Sequence, residues 1–233
     1  MKDIPDLPTI AIIGGTGKEG KGLAYRWAKA GYRLIIGSRS IEKALAVAQE
    51  LNDKLYGTAM IQGMDNLQAA LTADLVVLTV PYVVHREMLE GLKDTLRGKL
   101  LIDVTVPLNP QKASRVQMPP AGSAAQEAHE ILGDGSEIAA AFQNISYELL
   151  MQENIRISCD VLVTGTSKTA RSEALELVHA AGLIGWDAGP IENSVVIEGM
   201  TSILIGINKK YGSTHAGIQI TGVEREASTL PDS

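Results

Sequence analysis

The strongest constraint on this chain lies near its start. The apolar run Ile10-Ala11-Ile12-Ile13 passes directly into Gly14-Gly15-Thr16-Gly17-Lys18-Glu19-Gly20. Gly15, Gly17 and Gly20 form a G-x-G-x-x-G pattern between a strand candidate and a helix candidate, the context in which that pattern binds a dinucleotide. Gly15 is expected to permit the tight turn, Gly17 to let the backbone approach a pyrophosphate, and Gly20 to let the helix press against the strand. The helix then points unpaired N–H groups and its positive dipole end at the phosphates.

The pattern recurs along the chain as strand-length apolar runs alternating with helical periods. Strands are predicted over Thr9–Gly14, Leu34–Gly37, Ala59–Gln62, Leu75–Thr79, Leu100–Val104 and Ile138–Ala141. Helices are predicted between them over Lys18–Ala30, Ile41–Leu51, Asn66–Leu71 and Tyr82–Leu96. This order implies a mostly parallel sheet covered on both faces, and the unbroken run Leu75-Val76-Val77-Leu78 suits a strand buried on both sides. Prolines at 107, 110, 119 and 120 break any helix there. A helix from Ser123 to Leu132, a second αβ section from Val161 to Asp187, and a long apolar helix from Glu192 to Lys210 complete the reading.

The end of the second strand discriminates between nucleotides. An NAD site usually has Asp or Glu there, accepting from the ribose 2′-hydroxyl. This chain has Ser38 and Arg39, with Lys43 one turn further on. A guanidinium grips a 2′-phosphate in a planar fork, and a hydroxyl and an ammonium add donors. The expected ligand is therefore NADP.

Composition excludes several other classes. A net charge of −6 argues against a protein built to hold nucleic acid. The longest apolar runs are too short to cross a bilayer, and Met1 to Pro5 lack the core of a secretory signal, so a cytoplasmic location is expected. Cys159 is the only cysteine, which excludes an intrachain disulfide and a cysteine metal cluster, and its apolar flank marks it as a buried structural thiol.

In a doubly wound sheet, ligands lie beyond the carboxyl ends of the strands. Three strand ends feed that crevice here, at Thr79-Val80-Pro81, Thr105-Val106-Pro107 and Phe142-Gln143-Asn144. Val80 and Val106 are candidates to wall a nicotinamide. The four histidines are scattered without triad or metal-ligand spacing. His85 is expected to decorate a helix start, Asp103 to bond the neighbouring loop, and Glu192 and Glu198 to act at a helix start. No side chain is assigned as catalytic and none as a metal ligand. Hydride exchange between two flat organic cofactors fits that absence, since positioning supplies most of such catalysis.

These residues carry a family resemblance. The chain resembles the NADPH:F420 oxidoreductases over residues 9 to 223. The marks are Gly14-Gly15-Thr16-Gly17 with Lys21-Gly22-Leu23, Gly37-Ser38-Arg39 with Lys43, and Leu78-Thr79-Val80-Pro81. Further marks are Ala140-Ala141-Phe142-Gln143-Asn144, Asp187-Ala188-Gly189-Pro190 with Asn193, then Glu198, Thr201 and Ile207-Asn208-Lys209, and finally Gly217 to Gly222. The resemblance implies a Rossmann-type α/β fold that binds NADP and the deazaflavin coenzyme F420. It places Thr16, Gly17, Lys18, Glu19, Ser38, Arg39 and Lys43 on the NADP phosphates. Val80, Val84, Val106 and Tyr147 would lie along the ribose and nicotinamide, with Gln143, Asn144 and Thr201 on the deazaflavin side. Some members carry Arg at the position of Val195 and a hydroxyl residue at that of Gly199.

The resemblance further implies a homodimer paired through the long final helix. The chain is expected to divide into an NADP-binding domain over 1–145, a smaller part over 146–223 that helps form the deazaflavin site, and a disordered tail over 224–233. Two other readings stay open at this point: an NADPH-dependent imine or ketone reductase, and a non-catalytic NADP-sensing regulator.

Overall fold

The strands of this chain send successive side chains to opposite faces, and both faces are greasy, so helices must cover both. The computed structural model describes residues 7–153 and 155–224. Strand β1 (Ile10–Ile13) leads into α1 (Lys18–Lys29), then β2 (Leu34–Ser38), α2 (Ile41–Lys54), β3 (Ile61–Asp65) and α3 (Asn66–Thr72). Next come β4 (Leu75–Leu78), α4 (His85–Leu96), β5 (Leu100–Asp103), α5 (Ala124–Leu132), β6 (Glu137–Ala140) and the short α6 (Tyr147–Leu150). The second section supplies β7 (Asp160–Gly165), α7 (Lys168–Ala180), β8 (Ile184–Pro190) and α8 (Ser194–Tyr211). The tail expected over 224–233 lies, beyond Glu224, outside the described residues, as do the first six residues read for a leader.

All eight strands form one sheet in the order β3-β2-β1-β4-β5-β6-β7-β8. Every pairing is parallel except β6 with β7. The order reverses between β1 and β4, which opens the crevice beyond their carboxyl ends. This is the expected Rossmann-type α/β fold. Ile10, Ile12, Ile36 and Val77 pack on one face with Leu23, Trp27 and Leu177. Ala11, Ile13, Ile35 and Val76 pack on the other with Leu89, Ala125 and Leu132.

The sequence reading misses α6. At four residues it is too short to show a period, and its stability is tertiary. Gly22 on α1 leaves no room for a Cβ, which would lie 2.7 Å from Cβ of Leu150. The Arg26 guanidinium then donates to the carbonyls of Leu149 (2.9 Å) and Leu150 (2.7 Å). Those contacts press α6 onto α1 and bring Tyr147 to the glycine loop.

The chain after α8 returns to β7. Asp160 N donates to Ile218 O at 2.8 Å, and Ile220 N donates to Asp160 Oδ2 at 2.8 Å. Cys159 is buried as expected, accepts from Ile218 N through its sulfur, and is pushed up in pKa by burial.

Gly63 on β3 shows how tightly the layers meet. A Cβ there would lie 2.5 Å from the backbone of Ala44 and Leu45 on α2. Gly63→Ala is expected to cost about 1–3 kcal/mol through overpacking, read as a lower urea midpoint at unchanged slope; an unaltered midpoint refutes this.

Candidate active site

The glycine loop is shaped by steric exclusion at three points. The positive φ of the turn, 74°, belongs to Gly14. This corrects the assignment of the tight turn to Gly15. Gly15 is required because a Cβ would lie 2.7 Å from Ile12 O, and Gly20 because a Cβ would lie 2.7 Å from Gly15 Cα and 2.9 Å from Thr79 Oγ1. Thr79 Oγ1 donates to Ile13 O at 3.0 Å, and Asn66 Oδ1 accepts from Gly14 N at 3.4 Å. Sequence reasoning placed Thr79 at the crevice but foresaw neither bond, because each acts across the sheet.

No side chain caps the N-terminus of α1, where Gly17 is extended. The first N–H groups of a helix have no intrahelical partner. Thr16, Gly17 and Lys18 surround this uncapped end. Lys18 Nζ donates to the Tyr147 hydroxyl at 3.0 Å and sits 4.7 Å from the centre of that ring. Glu19 Oε1 is buried without a hydrogen-bond partner, and burial lifts its carboxyl to about 8. A carboxyl kept neutral can donate to an anion instead of repelling it.

At the end of β2, Ser38 is buried and its Oγ accepts from Ser40 N at 3.2 Å. Arg39 and Lys43 are exposed, and among the described residues neither is paired with a carboxylate. A cavity of about 280 Å³ opens beside Arg39, lined by Asn66, Leu67, Val84 and Met88. Val84 therefore falls at the Arg39 end of the crevice, on the side of the predicted 2′-phosphate group.

The three strand ends beyond β4, β5 and β6 are tied together. Val80 is buried against Gly14. Thr105 Oγ1 donates to Val80 O at 3.5 Å, which sets half-buried Val106 beside it. Phe142 adopts φ 73°, a conformation that costs a non-glycine residue about 1–3 kcal/mol. Its ring packs edge-on against Trp27 at 5.6 Å, which holds the strained turn in place. Gln143 follows directly. Its Nε2 donates to Asp103 O at 2.8 Å, its carbonyl accepts from Thr201 Oγ1 at 2.8 Å, and its Oε1 is buried without a partner. Asn144 spends its amide hydrogens on Asp160 O and Cys159 Sγ, leaving only Oδ1 for a ligand.

His85 overturns its expected role as decoration of a helix start. It is fully buried, with Nε2 2.7 Å from Asp103 Oδ2 and Nδ1 3.1 Å from Glu127 Oε2. Arg86 Nη2 donates to the other Glu127 oxygen at 2.7 Å. Asp103 does bond the neighbouring loop as expected, accepting from Thr105 N at 2.9 Å. Glu198 also departs from its reading. It caps α5 rather than its own helix, accepting from Ala124 N (2.7 Å) and Ala125 N (3.1 Å).

Burial pulls the His85 pKa down, but Asp103 and then Glu127 outweigh it and hold the imidazole at about 9. Burial lifts Glu198 to about 8 against the pull of the Ala124 N–H. His85 is raised above its ordinary 6.5, so its contribution to stability is complete below pH 6.5 and is lost as pH rises through 9. The urea midpoint is expected to fall between pH 6.5 and 9.5, and His85→Gln to flatten that fall. A wild-type midpoint that is level across this window would contradict the assignment.

Comparison with known proteins places the chain. A family profile described as NADP oxidoreductase, coenzyme F420-dependent, matches residues 9–107. The F420-dependent NADP reductase of Methanocaldococcus jannaschii is 37% identical over 222 residues, covering 92% of this chain and 99% of that protein. The F420-dependent NADP reductase of Methanothermobacter marburgensis is 39% identical over 220 residues, covering 92% of this chain and 98% of that protein. A crystal structure from Arthrobacter sp. FB24, provisionally assigned as an F420-dependent NADP reductase, shares the fold with a TM-score of 0.79 at 21% identity, covering 92% of this chain and all of that one. By its near full-length likeness to these relatives, the chain belongs to the F420-dependent NADP reductase family.

Proposed function

We propose that this protein transfers a hydride between NADP(H) and the deazaflavin coenzyme F420. The observation that carries the choice of reaction is the engagement of His85, Asp103 and Tyr82 at the strand ends. His85 spends both ring nitrogens on carboxylates, and Asp103 spends both oxygens on His85 and Thr105. Tyr82 is turned to Glu127 and pushed up to about 12 by burial and that neighbour. Reducing a ketone or imine needs a proton donor at the forming anion, and these groups have no proton to spare. Hydride transfer from NADPH leaves NADP+ and a negative charge delocalised over the reduced deazaflavin, which takes its proton from water afterwards. The step therefore needs no side-chain acid, only two flat rings held at short distance in a dry site.

The residues fit NADP. The uncapped start of α1, Gly17 among it, supplies N–H donors for the pyrophosphate, with Lys18 and neutral Glu19 at its rim. Arg39, with Ser38 and Lys43, meets the 2′-phosphate, while Val84 and Tyr147 lie along the cofactor. Bound NADPH supplies the hydride from its nicotinamide ring. Val80 and Val106 wall that ring, and Gln143, Asn144 and Thr201 face the deazaflavin, with the free Gln143 Oε1 as acceptor for a ring N–H.

Two further statements belong to this reading. The protein is a homodimer paired through α8, which exposes Val196 (61%), Ile203 (54%) and Ile207 (40%) at near-heptad spacing on one stripe. It works in the cytoplasm, where the nicotinamide pool is available; no described helix is long and apolar enough to cross a membrane.

The test is to mix protein with NADPH and oxidised F420 and follow loss of deazaflavin absorbance, with NADH as control. Bleaching with NADPH and little with NADH is expected. NADPH binding without bleaching would sink the reading. Arg39→Ala is expected to raise the KM for NADPH roughly 10- to 100-fold, as for loss of charge-assisted bonds, with no change towards NADH. An equal loss towards both nucleotides would remove Arg39 from the 2′-phosphate.

A further inference from the structure

The buried His85 cluster has no part in binding either cofactor, yet it lies directly beneath the groups that do. Three charged side chains meet there out of water: His85 and Asp103 are fully buried and Glu127 nearly so. Buried ion clusters are poor stabilisers, since packed apolar residues often do as well. A cluster of this kind at strand ends calls for another explanation.

Its bonds supply one. Asp103 is held by His85 through Oδ2, which leaves Oδ1 to receive Thr105 N and the main-chain oxygen to receive Gln143 Nε2. Thr105 in turn reaches Val80 O. The Asp103 carboxylate thus sets the Thr105-Val106 step and, through Thr105, the bond to Val80, while the main-chain oxygen of the same residue holds the Gln143 side chain. Glu127 steadies the far side of the imidazole, clamped from outside by Arg86. The Tyr82 ring stacks on the imidazole with 5.7 Å between centres and 29° between planes. Both ring nitrogens can donate together only in the imidazolium.

We propose that His85 is a positioning residue for hydride transfer, locking Asp103 so that the Val80–Val106 wall and Gln143 hold the two rings at reacting distance. This rests on the placement of the nicotinamide against Val80 and Val106 given above. Misplacement by about 1 Å at a distance from the chemistry can cost about 100-fold in rate, whereas the phosphate contacts that dominate NADPH affinity lie on α1 and β2.

The proton on His85 is the handle for a test. Its charged surroundings are Asp103 from β5, Glu127 from α5 and Arg86 from α4, with Tyr82 just before α4; Glu198 from α8, held at about 8, ionises within the same window. Removing the proton leaves one of the two carboxylates without its donor and loosens the Asp103–His85–Glu127 clamp.

Turnover of F420 with NADPH is measured at saturation in both, from pH 6.5 to 9.5, for wild type, His85→Gln and Glu127→Gln. NADPH deuterated at the transferring position gives the isotope effect. In wild type, kcat is expected to fall along a limb centred near pH 9. His85→Gln should lower kcat about 10- to 100-fold at pH 7, keep the KM for NADPH within about two-fold, enlarge the isotope effect and abolish the limb. Glu127→Gln keeps an acceptor but removes one charge, so it should move the limb to lower pH. It also serves if His85→Gln does not fold.

The proposal is overturned if folded His85→Gln keeps wild-type kcat and limb, if it loses kcat with the limb in place, or if Glu127→Gln leaves the limb unmoved. Active wild type with any of these results fails the role of His85 alone. Wild type that never bleaches F420 fails the function itself, and this proposal with it.

Discussion

Close approach of backbone to backbone at the Gly15–Gly20 contact governs this molecule. A Cβ at either glycine would collide with main-chain atoms at 2.7 Å, so α1 can start where it does only because both side chains are missing. The position of that start fixes everything on its side of the sheet. It aims the uncapped N–H groups, seats α6 through Gly22 and Arg26, and sets Tyr147 over Lys18. A bulkier loop would lift α1 away from β1 and take its uncapped start and α6 with it.

A second anchor works from the opposite side of the switch in strand order. Where the glycine loop achieves precision by removing atoms, the ends of β4, β5 and β6 achieve it by adding charge. The two meet at Val80, which packs on Gly14 and receives the Thr105 bond at its carbonyl. The glycine loop and the strand ends therefore share a residue that is neither charged nor polar. Strain at Phe142 is tolerated in the same region because Trp27 fills the space behind its ring, leaving Gln143 where Asp103 can take its amide.

The parts of this structure legible in the sequence are those with short-range causes. Leu75 to Leu78 could be read as doubly buried because four apolar residues in a row suit nothing else of that length, and the glycine loop because its spacing is local. The end of β2 at Ser38 was legible from the apolar run before it. The antiparallel β6–β7 pair was not, since nothing in either strand records its direction. Nor was the His85 cluster. His85, Asp103 and Glu127 are separated by 18 and 24 residues, and each alone looks like an ordinary residue of its element. Only the parallel stacking of β4 beside β5, with α5 beneath, makes them neighbours. Glu198 was recognised as a cap but assigned to the wrong helix, because the helix it serves is 74 residues away.

The segment that returns to β7 after α8 bears on how the chain is made. Asp160 opens β7, where its N–H donates to Ile218 O and its carboxylate accepts from Ile220 N, and Gly217 lies on Cys159 with no space for a side chain. The first strands can pair as soon as they emerge during synthesis, since β1, β2 and β3 follow one another in the chain. The start of β7 cannot be finished until residues near the carboxyl end have emerged and turned back. The β1–β3 half of the sheet is thus free to fold while translation continues, and the far half is sealed only once residues 217–220 have emerged.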